Sequence, residues 1–258
     1  MKRIYLLVTV LFCISFSLLA QESQVFKCGN AKFKMIFVQG GTFTMGDDSG
    51  PKIEKPAHEV TLSDYYIGET EVTQQLWTAV MGKNPSAYKG DKHPVECISW
   101  NDAQVFIKKL NEVTGMEFRL PTEAEWEFAA KGGNMGQHYR YSGSNDIEKI
   151  AWCTLASLDP GKGFYPNSTA SVKKKKPNEL GVYDMTGNVW ELCQDVISTY
   201  PSDKQTNPVV ETNPDNNQRI VRGGSFESAY DNTGRKSVSP NTYFGQLGFR
   251  LALTKPAN

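Results

Sequence analysis

The stretch from Gly181 to Asp195, GVYDMTGNVWELCQD, constrains this chain more than any other. Its two glycines give backbone freedom that residues with a Cβ lack, which predicts an irregular turn instead of a regular helix or strand. Asp184 and Glu191 offer side-chain oxygens, and the turn between them offers carbonyls. Ca²⁺ takes about six to eight such oxygen ligands. The residues alone leave two interpretations open, a cation site or a polar loop pinned by aromatic side chains.

Length and charge limit the classes of function. The chain has 258 residues, with 28 basic and 28 acidic side chains, so its formal net charge is zero. A neutral chain has no overall field that favours nucleic acid or an anionic membrane surface, and we expect no nucleic-acid partner. The 22 glycines and 13 prolines favour many turns and short elements over long helices.

The first twenty residues are typical of a secretory signal. Lys2 and Arg3 precede an apolar run from Ile4 to Leu19, and Ala20 is a small residue at the expected cleavage point. A membrane anchor is the alternative, but the run is shorter than the ~20 residues that a spanning helix needs. We therefore predict a secreted, periplasmic or cell-envelope protein with no membrane span after cleavage, a polar leader over 21–34 and one domain over 35–254.

Four cysteines remain after cleavage: Cys28, Cys97, Cys153 and Cys193. In an oxidising compartment an even number permits disulfides, with three possible full pairings. Scattered positions without a C-x-x-C pair argue against a zinc site. Buried single thiols and one disulfide both remain open.

Capping signals predict three short helices. Thr73 begins the first, which ends at Gly82; Ser99 begins the second, which ends at Gly115. The third begins at Thr122, where a glutamate three residues later completes a capping box. Helical spacing of apolar residues is absent beyond residue 133, apart from short strand-like segments. The fold class is therefore α+β, with little regular secondary structure and long loops.

Seven motifs in order resemble the sulfatase-modifying-factor superfamily, whose best-known members are the formylglycine-generating enzymes. One such motif would be weak evidence, whereas seven in the right order are specific for the family but not for its activity. The motifs are MIFVQGGTFTMG (35–46), YYIGETEVTQQLW (65–77), PVECISWNDAQVF (94–106), FRLPTEAEWEFAA (118–130), GVYDMTGNVWEL (181–192), RGGSF (222–226) and LGFRLAL (247–253).

The resemblance implies a C-type-lectin-like core and sharpens the calcium prediction. Family members with calcium hold it in this central loop. Carried over by position, Asp184 and Glu191 would supply side-chain oxygens, while Gly187 and Val189 would supply carbonyls. Ca²⁺ is therefore the expected cofactor.

The resemblance also implies that the family's oxidase chemistry is missing. That chemistry converts a substrate cysteine to formylglycine with two cysteines just after the GGSF-type motif, which bind copper(I) and the substrate thiol. The matching positions here are Ser228 and Thr233. Hydroxyls are poor ligands for copper(I) and cannot form a mixed disulfide, so copper is not expected.

The sequence thus predicts an exported, non-oxidase binding or accessory module. Its partner would be a protein, peptide or glycan of the cell envelope. A formylglycine-generating oxidase and a structural subunit of an envelope assembly are the alternatives. We expect the loops at 134–180, 198–218 and 228–244 to form the recognition surface. Four residues are candidates for contact with the ligand: Ser225, Tyr230, Arg235 and Tyr243.

Overall fold

A computed structural model describes residues 23–154 and 166–255 and confirms the α+β architecture. Most elements are short, as the frequent glycines and prolines predict. The strands in chain order are β1 Ser23–Cys28, β2 Ala31–Val38, β3 Gly41–Met45, β4 His58–Leu62, β5 Tyr65–Gly68, β6 Phe118–Arg119, β7 Trp190–Val196, β8 Gln205–Thr206, β9 Arg219–Arg222, β10 Gly224–Ser225, β11 Ser228–Ala229, β12 Arg235–Val238, β13 Leu247–Gly248 and β14 Ala252–Thr254. The helices are α1 Gln74–Met81, α2 Trp100–Thr114, α3 Glu123–Ala130 and α4 Ile147–Ile150, with 3₁₀ turns at Lys52–Glu54 and Gly133–Met135.

A five-stranded sheet in the order β1-β2-β5-β14-β6 divides the interior into two cores. Successive side chains of a strand point to opposite faces. Met35 and Tyr66 therefore pack on one face with α1 and α2, whereas Ile36 and Ile67 pack on the other face with α3. Both faces of this sheet are buried, so the chain needs apolar residues at consecutive positions of β2 and β5.

Three smaller sheets carry the loops. A four-stranded sheet has the order β12-β9-β7-β13, and its β13–β7 pair is parallel. A three-stranded sheet has the order β3-β4-β8, and a two-stranded ribbon joins β10 to β11. The ribbon follows β9 directly, so the segment that matches the family's catalytic motif lies at one end of the four-stranded sheet.

The three predicted helices are confirmed with their caps. Thr73 accepts a hydrogen bond from the backbone of Leu76, and Gly82 ends α1 in the left-handed region. Ser99 and Thr122 each form a complete capping box. These caps satisfy backbone donors that a helix leaves unpaired at its first turn. The four-residue helix α4 has no counterpart among the predicted helices, because it is too short to show a periodic pattern.

Two sequence predictions are corrected by the observed elements. Residues 23–34, predicted as a polar leader, form β1 and the start of β2, which pair in register from Ser23↔Ile36 to Cys28↔Ala31. Exposed residues alternate with more buried ones in this hairpin, so the segment looks polar in the sequence although it is half-buried. The central stretch is irregular only as far as Val189, because Trp190–Val196 forms the buried strand β7. Its neighbours β9 and β13 supply the hydrogen bonds.

The predictions for the cysteines and for the N-terminus have different outcomes. All four remaining cysteines are free thiols in the structure, and three of them are buried. The predicted signal falls on residues 1–20, which lie outside the described residues. No helix within residues 23–154 and 166–255 has the length and apolar character needed to cross a membrane.

Candidate functional site

The segment after the RGGSF motif is held by a buried arginine of β9. Arg222 donates from Nη1 to the carbonyls of Thr233 and Gly234, at 2.6 and 2.9 Å, and from Nη2 to the carbonyl of Asn232 at 3.2 Å. Glu127 of α3 accepts a further bond from the same guanidinium. The backbone of 232–234 is therefore fixed from beneath by a side chain that is fully buried.

Ser228 faces one hollow, which we call the Ser228 groove. Ser228 pairs with Ser225 across the β10–β11 ribbon. The rings of Trp190 and Tyr230 meet edge to face with centroids 4.6 Å apart, and the Nζ of Lys236 lies 5.2 and 4.9 Å from them. The groove has a volume of about 290 Å³ and is lined by Trp190, Val221, Ser225, Glu227, Ser228, Lys236, Ser237, Val238, Phe244 and Gln246.

Thr233 lines a different hollow and its hydroxyl is already engaged. Its Oγ1 lies 2.8 Å from Oε2 of Glu54 and 3.3 Å from Oδ1 of Asp231. Burial raises the pKa of Glu54, although the hydrogen bond with Thr233 opposes that rise. The two hydroxyls that stand where the family has thiols therefore lie in separate environments, and one is committed to a carboxylate pair.

The four residues predicted for the ligand surface have different positions. Ser225 lines the Ser228 groove, but only 1% of its surface is exposed. Tyr230 is half-buried at the rim of that groove, and Tyr243 is 69% exposed on the loop before Phe244. The prediction for Arg235 is wrong, since its side chain is buried.

The burial of Arg235 has a clear electrostatic cause. Its guanidinium pairs with both carboxylate oxygens of Glu123 at 2.7 and 2.6 Å. It also stacks over the ring of Tyr200, with 4.1 Å between the guanidinium carbon and the ring centroid. Arg235 therefore ties β12 to the start of α3 and contributes to stability, not to recognition.

The predicted calcium residues lie together, but Glu191 is not a free ligand. Arg250 donates to its two carboxylate oxygens at 2.5 and 2.6 Å, and Trp126 Nε1 donates to Oε2 at 2.7 Å. Glu191, predicted to supply a side-chain oxygen to a cation, is thus also the ion-pair partner of a buried guanidinium. Gly187 and Val189 lie on the same buried turn, where Gly187 has a φ of +84°.

A second carboxylate joins Asp184 beside that ion pair. Glu71 is 1% exposed; its Oε1 accepts from Asn188 at 3.0 Å, whereas its Oε2 has no hydrogen-bond partner among the described residues. Burial raises the pKa of Glu71 well above its ordinary value, and the charges of Asp184 and Glu191 raise it further. Burial also raises the pKa of Asp184 to about 6, although a hydrogen bond from the backbone of Lys173 lowers it.

These groups set the limits on a bound cation. Within the described part of the chain, no three His, Cys, Asp or Glu side chains are grouped so that they could hold a metal ion. Two carboxylates with backbone carbonyls remain a suitable donor set for Ca²⁺. The oxygen of Glu71 without a partner and the carboxylate of Asp184 meet that requirement, while Glu191 neutralises Arg250.

Sequence reasoning misses Glu54, Glu71 and Arg250. Glu71 lies within the YYIGETEVTQQLW motif and Arg250 within LGFRLAL, so both belong to segments that identify the family. Nothing local distinguishes a glutamate that will be buried from one that is solvated. Their roles follow from long-range contacts: Arg250 pairs with Glu191, 59 positions away, and Glu54 accepts from Thr233, 179 positions away.

Comparison with known proteins agrees with this geometry. The family described as "Sulfatase-modifying factor enzyme 1-like domain" matches residues 22–255. The chain is 36% identical to "Chaperone protein LppX" of Paenibacillus barcinonensis over 76% of this chain and 79% of that protein. It is 30% identical to the "Formylglycine-generating enzyme" of Streptomyces coelicolor over 83% and 87%. The solved structure of "Treponema denticola variable protein 1" superposes with a TM-score of 0.80 at 31% identity, covering 90% of this chain and 99% of that one.

Proposed function

The chain belongs to the sulfatase-modifying factor enzyme 1-like domain family, and on that premise we propose that it is an exported member which binds a polypeptide and does not oxidise a cysteine. One observation carries the proposal. Ser228 and Thr233 replace the two thiols, and they lie in different hollows.

The chemistry of the two positions supports this proposal. Copper(I) selects soft thiolate ligands, and a substrate cysteine can form a mixed disulfide only with another thiol. Cys193, the last cysteine in the chain, is fully buried in the core near α3 and the sheets. It therefore cannot replace either missing thiol beside the Ser228 groove.

The lining of the Ser228 groove favours a polypeptide ligand. Aromatic rings of Trp190 and Phe244 line the groove, Tyr230 packs against Trp190, and Lys236 offers one exposed cation. Such a combination suits an extended chain that presents apolar and acidic side chains in alternation. The relative named a chaperone supports the same class of partner for this chain.

Ca²⁺ is the second part of the proposal. Asp184 and Glu71 would bind it through side-chain oxygens, with backbone carbonyls of the 187–189 turn completing the shell. The bound cation would hold the turn that enters β7, the strand that supplies Trp190 to the groove. Its role in this proposal is structural, because the cluster is buried away from the ligand.

Export is the third part, and the N-terminal sequence supports it. The basic start at Lys2 and Arg3 and the apolar run to Leu19 are typical of a cleaved secretory signal. N-terminal sequencing of the protein from the envelope or medium of an expressing bacterium would test it. We expect the mature chain to begin near residue 21, and an intact N-terminus in the cytoplasm would contradict export.

The binding function is tested with an unfolded polypeptide as the probe. The probe is fluorescently labelled α-lactalbumin that has been reduced and carboxymethylated. We expect its fluorescence anisotropy to rise when it binds the protein. Lys236→Glu and Tyr230→Ala should each weaken binding about tenfold, because each removes a contact worth ~1.4 kcal/mol. The matched control is Tyr139→Ala, which removes an exposed tyrosine from the other hollow.

The oxidase alternative has its own assay. The purified protein is incubated with a sulfatase-motif peptide, copper(I) and oxygen. The mass of the peptide is then measured by mass spectrometry. The proposal expects no conversion of the peptide cysteine. Conversion to formylglycine at a rate that depends on copper would overturn it.

A further inference from the structure

Thr233 opens onto a hollow of about 680 Å³ that the proposed polypeptide groove does not use. We call it the Thr233 cleft. It is bounded by strand β3, by the segment that follows α3 and by the segment 231–233. Six of its lining residues bear on ligand binding: Phe43, Tyr139, Arg140, Asp231, Asn232 and Thr233.

The charged side chains of this cleft are engaged, with Asp47 accepting hydrogen bonds from the backbone and the hydroxyl of Ser49. Arg140 Nε lies 3.6 Å from Asp231 Oδ2, and Lys131 Nζ lies 2.6 Å from Glu127 Oε1. Both basic residues therefore have an acidic partner at the wall of the cleft. A ligand gains little from carrying a net charge in such a site, so the arrangement favours a neutral molecule with many hydrogen-bonding groups.

Asn232 presents a buried acceptor that needs a donor. The side chain is 4% exposed, its Nδ2 donates to the carbonyl of Tyr139 at 3.0 Å, and its backbone N donates to the carbonyl of Arg140 at 3.0 Å. Its Oδ1 has no hydrogen-bond partner among the described residues. A buried acceptor left unpaired is unfavourable, so a ligand that donates a hydrogen bond to it would be favoured.

Thr233 adds a donor and acceptor next to it. The hydroxyl has one proton and two neighbouring carboxylates, Glu54 and Asp231. It can donate a hydrogen bond to one of these carboxylates and accept a hydrogen bond from a ligand. The cleft thus offers hydrogen-bond donors and acceptors close together. A ligand whose groups both donate and accept hydrogen bonds is complementary to it.

An extended peptide does not suit this cleft, because the exposed edge of β3 is already capped. Lys131 Nζ donates to the carbonyl of Thr44 at 2.8 Å, and Asn134 Nδ2 donates to the carbonyl of Gly40 at 3.0 Å. Glu127 accepts from the backbone N of Gly46 at 2.9 Å. A peptide strand added to β3 would need these backbone groups for its hydrogen bonds. A ligand of this cleft must therefore be bound by side chains.

We propose that the Thr233 cleft binds a neutral pyranose unit of a glycan. Sugar hydroxyls both donate and accept, so they match Asn232 Oδ1, the Thr233 hydroxyl and the Arg140–Asp231 pair. The ring of Tyr139 is 38% exposed and offers an apolar face to the C–H groups of the sugar. The site is distinct from the Ser228 groove, so it adds a second ligand to the proposed function.

The test uses saturation-transfer NMR with three neutral disaccharides: maltose, cellobiose and N,N′-diacetylchitobiose. We expect at least one of them to give a saturable signal with the full chain. Tyr139→Ala and Arg140→Ala should each weaken that binding by about tenfold or more, which is the loss of one good contact. Arg140 is largely exposed, so its replacement leaves the folded core intact.

Val113→Ala is the control, because Val113 is an exposed side chain of α2 outside the cleft. It should leave the disaccharide affinity unchanged. Absence of a saturable signal with all three sugars would overturn the proposal, as would binding that Tyr139→Ala and Arg140→Ala leave intact. These outcomes are independent of the polypeptide assay, whose sensitive variants are Lys236→Glu and Tyr230→Ala.

Discussion

Two clusters of buried charges, one around Arg222 and one around Arg250, differ in charge balance. Arg222 lies with Glu127, Glu123 and Arg235, so two carboxylates face two guanidiniums, and Lys131 pairs with Glu127 from the surface. Arg250 belongs to the other cluster, in which one guanidinium faces three carboxylates. Those carboxylates are Glu71, Asp184 and Glu191.

The difference separates a self-neutralising scaffold from a site that needs a further positive charge. Ionised carboxylates are costly to bury unless they are paired. The Arg222 cluster meets this need with its own side chains and fixes the backbone of 232–234. The Arg250 cluster can meet it with a proton, which the raised pKa of Glu71 favours, or with the proposed Ca²⁺. Stability measurements on variants of each cluster, with and without Ca²⁺, distinguish the proton from the cation.

The largest effects are expected from replacing each arginine with methionine. Removing one partner of a buried ion pair costs about 3–5 kcal/mol, which lowers the melting temperature by about 6–20 °C in a domain of this size. Arg250→Met should regain part of this loss when Ca²⁺ is added, because three carboxylates then lack a counter-ion. Arg222→Met should not respond to Ca²⁺.

Thermal denaturation with and without Ca²⁺ checks this contrast. Arg219→Met is the matched control, since Arg219 stacks on Trp100 at the half-buried surface and should lose much less stability. Equal rescue of Arg222→Met and Arg250→Met by Ca²⁺ would show that the two clusters do not differ as described.

The next effect is the response of the unchanged protein to Ca²⁺. At a hundredfold excess over the dissociation constant, a ligand that binds only the folded state adds about 2.7 kcal/mol, or about 5–11 °C in melting temperature. We expect a shift of this size between a buffer with Ca²⁺ and a buffer with EDTA, and we expect little shift with Mg²⁺, which requires stricter octahedral geometry. An unchanged melting temperature would leave protonation as the means of neutralising the cluster.

The contrast between the clusters also shows what can be predicted from the sequence. Capping residues such as Thr73, Ser99 and Thr122 act on their own neighbours, so local spacing is enough to predict their roles correctly. The order of the motifs is enough to indicate the family and the fold. The serine and threonine at positions 228 and 233 indicate the absence of the thiol pair, because that inference needs only the identity of two residues.

Long-range pairing cannot be predicted in the same way. Arg235 is expected on the surface because it follows the loop of the missing cysteines, yet it pairs with Glu123, 112 positions earlier. Glu191 is expected as a cation ligand, but its pairing with Arg250 is not predicted. A single sequence does not contain these partnerships, because they depend on how the sheets bring distant strands together.

The pH dependence of stability has a defined sign. Burial raises the pKa of Asp184 from 3.8 to about 6 and that of Asp195 from 3.8 to about 7. Above pH 4 the unfolded chain releases these protons while the folded chain retains them, so the free energy of unfolding falls as pH rises towards 7. Stability from both groups is fully present below about pH 4.

Urea denaturation at a series of pH values in EDTA measures this fall. In Asp195→Asn a smaller decrease should remain, since burial still raises the pKa of Asp184 and of Glu71, and added Ca²⁺ should flatten it because the cation displaces these protons. A free energy of unfolding that rises between pH 4 and pH 7 in Asp195→Asn without Ca²⁺ would contradict the raised pKa of Asp184.

The smallest change in stability is expected from Glu71→Gln, which probes the oxygen that lacks a partner. A glutamine keeps the acceptor for Asn188 and removes one buried charge, so in EDTA the protein should change by no more than about 1 kcal/mol. The Ca²⁺-induced shift should nevertheless fall by at least half, because an amide oxygen is a weaker ligand than a carboxylate. Glu69→Gln is the control, since Glu69 pairs with Lys34 and Lys173 near the surface and should keep the full shift. If Glu71→Gln also keeps it, Ca²⁺ binds elsewhere, and the charge imbalance around Arg250 is met by a proton on Glu71.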